Sequence, residues 1–430
     1  MKIILTAVVL IKCSLVFAQT PYFPPVSNDD WERVDPVSLA WSTDRLDELK
    51  TYVADHKTKA FLILHKGKIV VEWYFDDHDK EKPWYWASAG KTLTSSLVGI
   101  AENQGLLSFE DSSSKYLGKG WTSCDPSGEG LIKIKHQLSM TSGLNDAQNS
   151  DCTEPACLEC LAKPGERWAY HNSPYTLLDG VIEGASGDNL TTFFRKNIGQ
   201  KIGMNGLYVK SGYNNVFYST ALSMARFGLL LINDGQWSGN NVIPADYVKA
   251  MHTSSQNINP SYGLLTWLNG KDKFMLPSSQ IKFAGPLIES APSDMYAALG
   301  KNDQKLHIVP SLDLVLVRMG DAAEDGGKNV PIQFDEGIWR ILGPAINHTT
   351  NVDNHNLADG LSVNQSNGIL TVSLPEQTVK QIVLYNLNGQ IVSLASKNEV
   401  QLADLKTGFY ILSATTESGV VVTKKVVVAN

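Results

Sequence analysis

Tryptophan, cysteine and methionine are confined to the N-terminal part of this chain, and this uneven distribution divides it in two. All ten Trp residues lie at or before Trp339, and every Cys and Met precedes that position. The stretch 347–356 that follows is polar and lacks an apolar repeat, which is typical of a linker. At 430 residues the chain also exceeds the ~250–300 residues at which a single core stops growing. We therefore predict a large domain over 19–345, a linker over 346–356 and a small domain over 357–430.

The first residues have the pattern of an export signal. Lys2 precedes an apolar run, and Val16 and Ala18 occupy the −3 and −1 positions before Gln19. We predict a signal peptide over 1–18, in preference to a buried first strand or a membrane anchor. Since no later stretch approaches the ~18 apolar residues that a membrane span needs, we expect an exported, soluble product without a transmembrane segment.

Composition and charge exclude two further classes of protein. With 43% hydrophobic residues, the chain has enough apolar side chains to build cores, which excludes wholesale disorder. Its 37 basic and 44 acidic residues give a formal charge of −7. Because neutralising phosphates requires a basic face, we expect no nucleic-acid partner.

Four cysteines remain once Cys13 leaves with the signal peptide, namely Cys124, Cys152, Cys157 and Cys160. An oxidising compartment favours disulfides over a zinc site made from the same four thiolates. The last two also have the spacing of a redox motif, but no βαβ pattern surrounds them. The sequence therefore predicts two disulfides and leaves all three pairings open.

The order of apolar patterns in the large part predicts an α+β fold. A helical face over 46–53 precedes a hairpin over 61–75, and a second apolar helix over 93–101 ends near Gly105. Several helical patterns follow, and strand patterns return over 295–318. We predict an antiparallel sheet built from both ends of the domain and faced by a mostly helical region from its middle.

The small C-terminal part reads as a β-sandwich. Short β-rich runs alternate with Gly, Asn and Ser turn signals. These runs span 369–374, 381–387, 390–394, 408–414 and 420–428.

The tetrad Ser88-Ala89-Gly90-Lys91 combines a hydroxyl and an amine three residues apart at the start of an apolar helix. This spacing puts both side chains on one helix face, where a partly neutral amine can take the serine proton. Two other tetrads, 112–115 and 279–282, also match Ser-x-x-Lys. Taken alone, the tetrad also fits a helix-capping Ser and a solvated Lys.

A second candidate element is Tyr170-His171-Asn172, just before a helix start at Ser173-Pro174. We predict that the side chains of Tyr170 and Asn172 lie on a loop against that helix end, where the Tyr170 phenol can relay a proton. The alternative interpretation is an ordinary turn in which Asn172 bonds to the backbone.

Together these segments resemble the serine β-lactamase and penicillin-binding-protein superfamily, in its class C, esterase and 6-aminohexanoate-oligomer hydrolase branch. The resemblance implies that Ser88 is the nucleophile, Lys91 its base and Tyr170 a proton relay. It implies a small-molecule or peptide-like ester or amide substrate and no metal or organic cofactor. The supporting segments are 136–144, 225–230 and 233–237.

The family's third motif, Lys-Thr-Gly or His-x-Gly, has no clean copy here. The strand expected in its place is 294–300, and we predict that Ala298 and Gly300, with Asn172, bind substrate or complete the oxyanion hole. Because a carboxylate-binding Lys-Thr-Gly is missing, we rank esterase or amidase activity above D-alanyl-peptidase or β-lactamase activity. A non-catalytic surface binding protein on a degenerate hydrolase scaffold is the alternative from another class.

The C-terminal runs resemble the sorting domain of the type IX secretion route, through the segments 382–389, 408–412 and 424–428. The resemblance implies a type IX secretion partner, passage through the periplasm and outer membrane, and attachment to the cell surface or release. A carbohydrate-binding or spacer sandwich is the alternative, although the segment lacks the Trp that sugar stacking favours.

Overall fold

The computed structural model describes most of the chain. The residues described are 21–147, 149–323, 332–346, 361–366, 368–373, 378–386, 390–403, 405–417 and 421–428. The predicted signal peptide 1–18 lies outside the described residues, as does all of the predicted linker except Ile346. The limits predicted for the two domains remain predictions.

Twelve α-helices are present in the described part of the chain. They are α1 Thr43–Asp55, α2 Gly90–Asn103, α3 Ser114–Leu117, α4 Pro126–Gly130, α5 Ile134–Leu138, α6 Asn172–Thr176, α7 Leu178–Ser186, α8 Leu190–Phe194, α9 Gln200–Ile202, α10 Ala221–Ile232, α11 Ala245–Met251 and α12 Ile332–Ala345.

Twenty strands accompany them in the same described ranges. They are β1 Thr58–His65, β2 Lys68–Tyr74, β3 Trp84–Tyr85, β4 Leu207–Ser211, β5 Asn214–Ser219, β6 Gln236–Trp237, β7 Asn240–Asn241, β8 Trp267–Leu268, β9 Lys273–Phe274, β10 Phe283–Ala284, β11 Tyr296–Gly300, β12 Gln304–Val309, β13 Leu314–Gly320, β14 Ser362–Ser366, β15 Ile369–Ser373, β16 Val379–Tyr385, β17 Ile391–Ala395, β18 Glu399–Gln401, β19 Gly408–Thr416 and β20 Val421–Val428.

The large part is organised around a six-stranded antiparallel sheet with strand order β2-β1-β13-β12-β11-β8. The N-terminal hairpin pairs with strands from the far end of the same region, for example Leu62 with Val317. Helices from the middle of the chain pack against this sheet, including α2 against β11 and α10 against β12 and β13. The α+β class, with a sheet made from both ends, is therefore confirmed.

Helices cover both faces of this sheet, so strands β11, β12 and β13 are buried on both sides, whereas β2 is only partly buried. Lys305 and His307 of β12 point towards α12, whereas Leu306 between them points towards α10, as the alternation of a strand requires. Helix α10 approaches closely because it carries Gly228 here. A Cβ at Gly228 would lie 2.5 Å from Cγ1 of Val315.

A buried ionic network fixes α12 to the sheet. Lys305 Nζ lies 2.6 Å from one carboxylate oxygen of Asp335 and 3.2 Å from Asp303, and His307 Nε2 lies 2.6 Å from the other Asp335 oxygen. The Trp339 indole can only donate, and it donates to His307 Nδ1 at 3.2 Å, so Nε2 carries the imidazole proton. Burial raises the pKa of Asp335, but Lys305 and His307 outweigh this effect and hold it below its usual range.

We expect the Asp335→Ala variant to lose about 3–5 kcal/mol of unfolding free energy, because it removes one partner of a buried ion pair. Urea unfolding followed by circular dichroism measures this loss. Asp47→Ala, which removes an exposed carboxylate from α1, is the matched control and should change stability by less than about 0.5 kcal/mol. Equal stability of the two variants would contradict this account of the network.

The C-terminal part is a β-sandwich, as predicted. Its two antiparallel sheets have the orders β14-β15-β18 and β17-β16-β19-β20, and they enclose a core that includes Leu370, Ile382, Val400 and Leu412. All five predicted runs overlap observed strands. The prediction missed β14 and β18 because the first is a polar, mostly exposed segment and the second has three residues.

The four remaining cysteines form two disulfides, Cys124–Cys160 and Cys152–Cys157. This result selects one of the three pairings that the sequence left open and excludes the zinc interpretation of the same residues. No helix in the described part of the chain is both long and apolar enough to cross a membrane.

Candidate active site

Ser88 and Lys91 lie at the start of α2, the central helix of the large part. Ser88 occupies the short 3-10 turn Ala87–Ala89 that leads into α2, and Ala87 before it has a φ of 47°. This left-handed conformation is unfavourable for a residue with a Cβ and is enriched at functional turns. Lys91 Nζ is hydrogen-bonded to Ser88 Oγ at 3.0 Å, so the structure brings the two side chains together as their spacing predicts.

The Lys91 amine is buried among aromatic rings. Its Nζ lies 4.1 Å from the centroid of the Tyr175 ring and 5.1 Å from that of Tyr170, and the side chain is 3% exposed. Burial lowers its pKa to about 7, against a smaller upward effect of Asp151 and Asp179. A large share of this amine is therefore neutral near pH 7 and able to accept the Ser88 proton.

Tyr170 is buried beside this pair. Its ring stacks on Trp267 with centroids 5.7 Å apart, and Trp168 lies near both rings. The hydroxyl makes no hydrogen bond of ordinary geometry with any described residue. Burial raises the pKa of Tyr170 well above its usual range, although the nearby Ser88 hydroxyl lowers it by a smaller amount. The phenol therefore keeps its proton and is a donor near Ser88.

Asn172 is the first residue of α6, so the predicted loop position is wrong by one residue for this side chain. His171 before it is extended and caps the helix without a side-chain hydrogen bond. Its Nδ2 donates to Asp151 Oδ1 at 2.7 Å. Its Oδ1 is buried and has no partner among the described residues.

Gly300 brings β11 against the turn that carries Ser88. A Cβ at Gly300 would lie 2.4 Å from the Trp86 carbonyl oxygen and 3.0 Å from the Ala89 nitrogen. Strand β8 pairs β11 only at Tyr296 and Ala297, so the remaining edge of β11 is free to run along that turn. Ala298 lies two residues before Gly300 on the same strand, beyond the residues that pair with β8, and the roles predicted for both in an oxyanion hole remain predictions.

The other two Ser-x-x-Lys tetrads do not join a hydroxyl to an amine in the described structure. Lys115 Nζ pairs with Asp111 at 2.8 Å, and Ser279 Oγ accepts from the Ile281 nitrogen at 3.1 Å. Among the described residues, no group of three or more His, Cys, Asp or Glu is placed to hold a metal ion.

Sequence reasoning missed four residues of the site. Tyr175 lies under the Lys91 amine, Trp267 stacks on Tyr170, and Asp151 and Asp179 act electrostatically on Lys91. Tyr175 follows Tyr170 by five residues, but nothing in that spacing indicates contact with Lys91. The other three come from segments whose approach depends on the fold.

The family model described as Beta-lactamase matches residues 49–272, more than half of the chain. The chain belongs to the beta-lactamase family. The matched range contains Ser88, Lys91, Tyr170 and Asn172 and ends before β11. A second model, the secretion system C-terminal sorting domain, matches residues 364–429 and indicates secretion or attachment to the cell surface.

One curated relative is similar to part of the chain. Penicillin-binding protein 4* of Bacillus subtilis (strain 168) is 32% identical over 137 residues, covering 28% of this chain and 29% of that protein. The match thus spans less than a third of that relative's length.

Solved structures share the beta-lactamase-family fold. A protein from Bacillus anthracis assigned as a 6-aminohexanoate-dimer hydrolase has a TM-score of 0.56 at 20% identity, covering 70% of this chain and 81% of that one. A protein from Bacteroides dorei DSM 17855 assigned as a β-lactamase has a TM-score of 0.56 at 16% identity, covering 71% and 99%. These likenesses support the fold alone.

We expect the Gly300→Ala variant to react about 10²-fold more slowly at Ser88, because its Cβ displaces the turn from β11 and misplaces the hydroxyl. The rate of covalent labelling of Ser88 by a serine-directed fluorophosphonate measures the effect. Gly130→Ala, at an exposed position with nothing within 4 Å, is the control. If both variants react at the wild-type rate, β11 does not position Ser88.

Proposed function

We propose that this beta-lactamase-family protein is an exported serine hydrolase that cleaves an ester or amide through an acyl-enzyme on Ser88. The observation that carries the proposal is the 3.0 Å contact between Ser88 Oγ and the buried Lys91 Nζ. A serine hydroxyl is a weak nucleophile unless a base takes its proton. Because the pKa of Lys91 is lowered, its neutral amine can act as that base at neutral pH.

In the acylation step, Ser88 Oγ bonds to the substrate carbonyl carbon as its proton passes to Lys91 Nζ. The tetrahedral intermediate then collapses, and the bond to the leaving alcohol or amine breaks. Tyr170 donates its phenolic proton to that leaving group and regains one from Lys91. Its raised pKa suits this relay because the phenol stays protonated between transfers.

In the deacylation step, a water oxygen attacks the acyl carbon while the water loses a proton to Lys91. The bond between Ser88 Oγ and the acyl carbon breaks, and the proton returns to Ser88. The products are a carboxylic acid and the free enzyme, so the cycle requires no cofactor.

Ester or amide cleavage ranks first because the strand beside Ser88 lacks a carboxylate-binding cation. Strand β11 reads Tyr-Ala-Ala-Leu-Gly, and Lys301 follows it at an exposed position. D-alanyl-peptidase or β-lactamase action is the second candidate, favoured by the names of the B. subtilis and B. dorei relatives. A non-catalytic binding protein is the third, favoured by the missing third motif.

Fluorophosphonate labelling tests the proposal, because Ser88 Oγ bonds to phosphorus and fluoride leaves as the proton passes to Lys91. We expect one adduct, mapped to Ser88 by peptide mass, and a rate at least 10²-fold lower in the Lys91→Ala variant. Lys115→Ala removes the amine of another Ser-x-x-Lys tetrad and should leave the rate unchanged. A folded wild-type protein without an adduct would favour the binding scaffold.

The pH dependence of the same labelling follows from the pKa of Lys91. Only the neutral amine accepts a proton, and its pKa lies near 7 rather than at the ordinary 10.5. We therefore expect the rate to be low in acid, to rise through about pH 7 and to level above it. A rate that keeps rising to pH 10 would show an unperturbed lysine and contradict the assignment.

For localisation, we propose that the sorting domain directs the protein across the periplasm and outer membrane through the type IX machinery. The match over 364–429 and the two disulfides support this route. In a bacterium that has the type IX machinery, we expect a chain ending at residue 356 to remain within the cell envelope. The full chain should reach the cell surface or the medium. Ser88 labelling in the lysate controls for folding, and equal export of both chains would refute the role of the domain.

A further inference from the structure

The loop that carries Asp151 is held by two covalent and several polar contacts. The disulfide Cys152–Cys157 links two residues within the loop. The disulfide Cys124–Cys160 links the C-terminal end of the loop to Cys124, which lies before the loop in the chain. Directly before Asp151, the Ser150 carbonyl accepts hydrogen bonds from the Ser173 nitrogen at 3.0 Å and from the Ser173 hydroxyl at 2.9 Å. The loop is therefore fixed to the first turn of α6, next to the residues that the mechanism uses.

Asp151 determines how the Asn172 amide is oriented. A carboxylate only accepts hydrogen bonds, so the 2.7 Å contact with Asp151 Oδ1 requires the amide nitrogen of Asn172 at that side. The amide oxygen then points the other way, where it is buried and has no partner among the described residues. An acceptor left unpaired in this way is available to a bound group.

The same carboxylate acts on Lys91. Two acidic groups raise the pKa of Lys91, Asp151 from the disulfide loop and Asp179 from α7, against the larger effect of burial. Asp179 is itself buried, and burial raises its pKa to about 7, so it is partly neutral where the enzyme is expected to work. The amine also contacts Ser88 Oγ and the rings of Tyr170 and Tyr175.

We propose that Asp151, presented by the disulfide-braced loop, is a positioning residue that orients the Asn172 amide at the start of α6, the helix whose Tyr175 ring packs on the Lys91 amine, and that its negative charge acts on Lys91 from that side. This inference rests on the proposed serine-hydrolase function. Asp151 touches neither Ser88 nor the reacting atoms, and it acts through Asn172 and Lys91.

Two substitutions separate the two effects of Asp151. Asp151→Asn removes the charge but keeps an oxygen that can accept from Asn172, whereas Asp151→Ala removes both. The readout is the rate of Ser88 labelling by the fluorophosphonate between pH 5 and 10, followed by intact mass. Glu154→Gln, at an exposed position of the same loop, removes an equal charge and is the matched control.

We expect both Asp151 variants to move the midpoint of the pH profile down by about one unit, because Lys91 loses a favourable neighbouring charge. Asp151→Ala should also lower the plateau rate about tenfold, and Asp151→Asn should retain most of it. In an Asn172→Ala background, the plateau loss from Asp151→Ala should disappear while the shift in midpoint remains. The Glu154→Gln profile should match the wild type.

A merely structural role would lower the plateau without moving the midpoint, and that result would overturn the inference, as would wild-type profiles for both Asp151 variants. Failure of the proposed function gives a different pattern, because a wild-type protein that is not labelled at any pH refutes the hydrolase and this inference with it. A melting temperature for each variant, measured by circular dichroism, shows that a changed profile comes from folded protein.

Discussion

Lys91 carries an amine that is nearly inaccessible to water, and the enclosure of that amine beside Ser88 is the constraint on which the proposed site depends. Helix α2 supplies both groups and is itself buried from Gly90 to Ala101. Its close packing depends on Gly99, where a Cβ would lie 2.2 Å from the Tyr247 ring. Among the described residues, no carboxylate hydrogen-bonds to the Lys91 amine, so its charged form loses hydration without that compensation and its pKa is lowered.

The sheet provides the rigid support that this arrangement needs. Strands from both ends of the large part meet in it, and β11 contacts both its neighbours in the sheet and the turn that carries Ser88. The buried contacts of Asp335 with Lys305 and His307 attach α12 to the opposite face. Strands β11 to β13 therefore serve two purposes. They hold the ionic contacts with α12, and they support the turn that carries Ser88.

The parts that sequence could predict are those set by short-range spacing. The spacing of Ser88 and Lys91 places both side chains on one helical turn. In the C-terminal part, β-rich runs that alternate with turn residues predicted most strands of the sandwich. The Asp151 contact could not be predicted, because it depends on which cysteines pair and on where the closed loop lies. The contacts of Tyr175 with Lys91 and of Trp267 with Tyr170 could not be predicted either, because tertiary packing brings these residues together. The choice of strand 294–300 came only from the family resemblance, and the close approach of Gly300 to Trp86 was not predicted, because no local pattern marks it.

Direct titration of the Lys91 amine tests the central claim most directly. Lysine labelled with ¹³C at the ε position reports the protonation of each amine by NMR, and the Lys91→Ala variant assigns the signal. The account predicts a signal that titrates near pH 7 in the folded protein, well below the ordinary lysine value of 10.5. A Lys91 signal that titrates with the exposed lysines would contradict it, because Ser88 would then have no base at neutral pH.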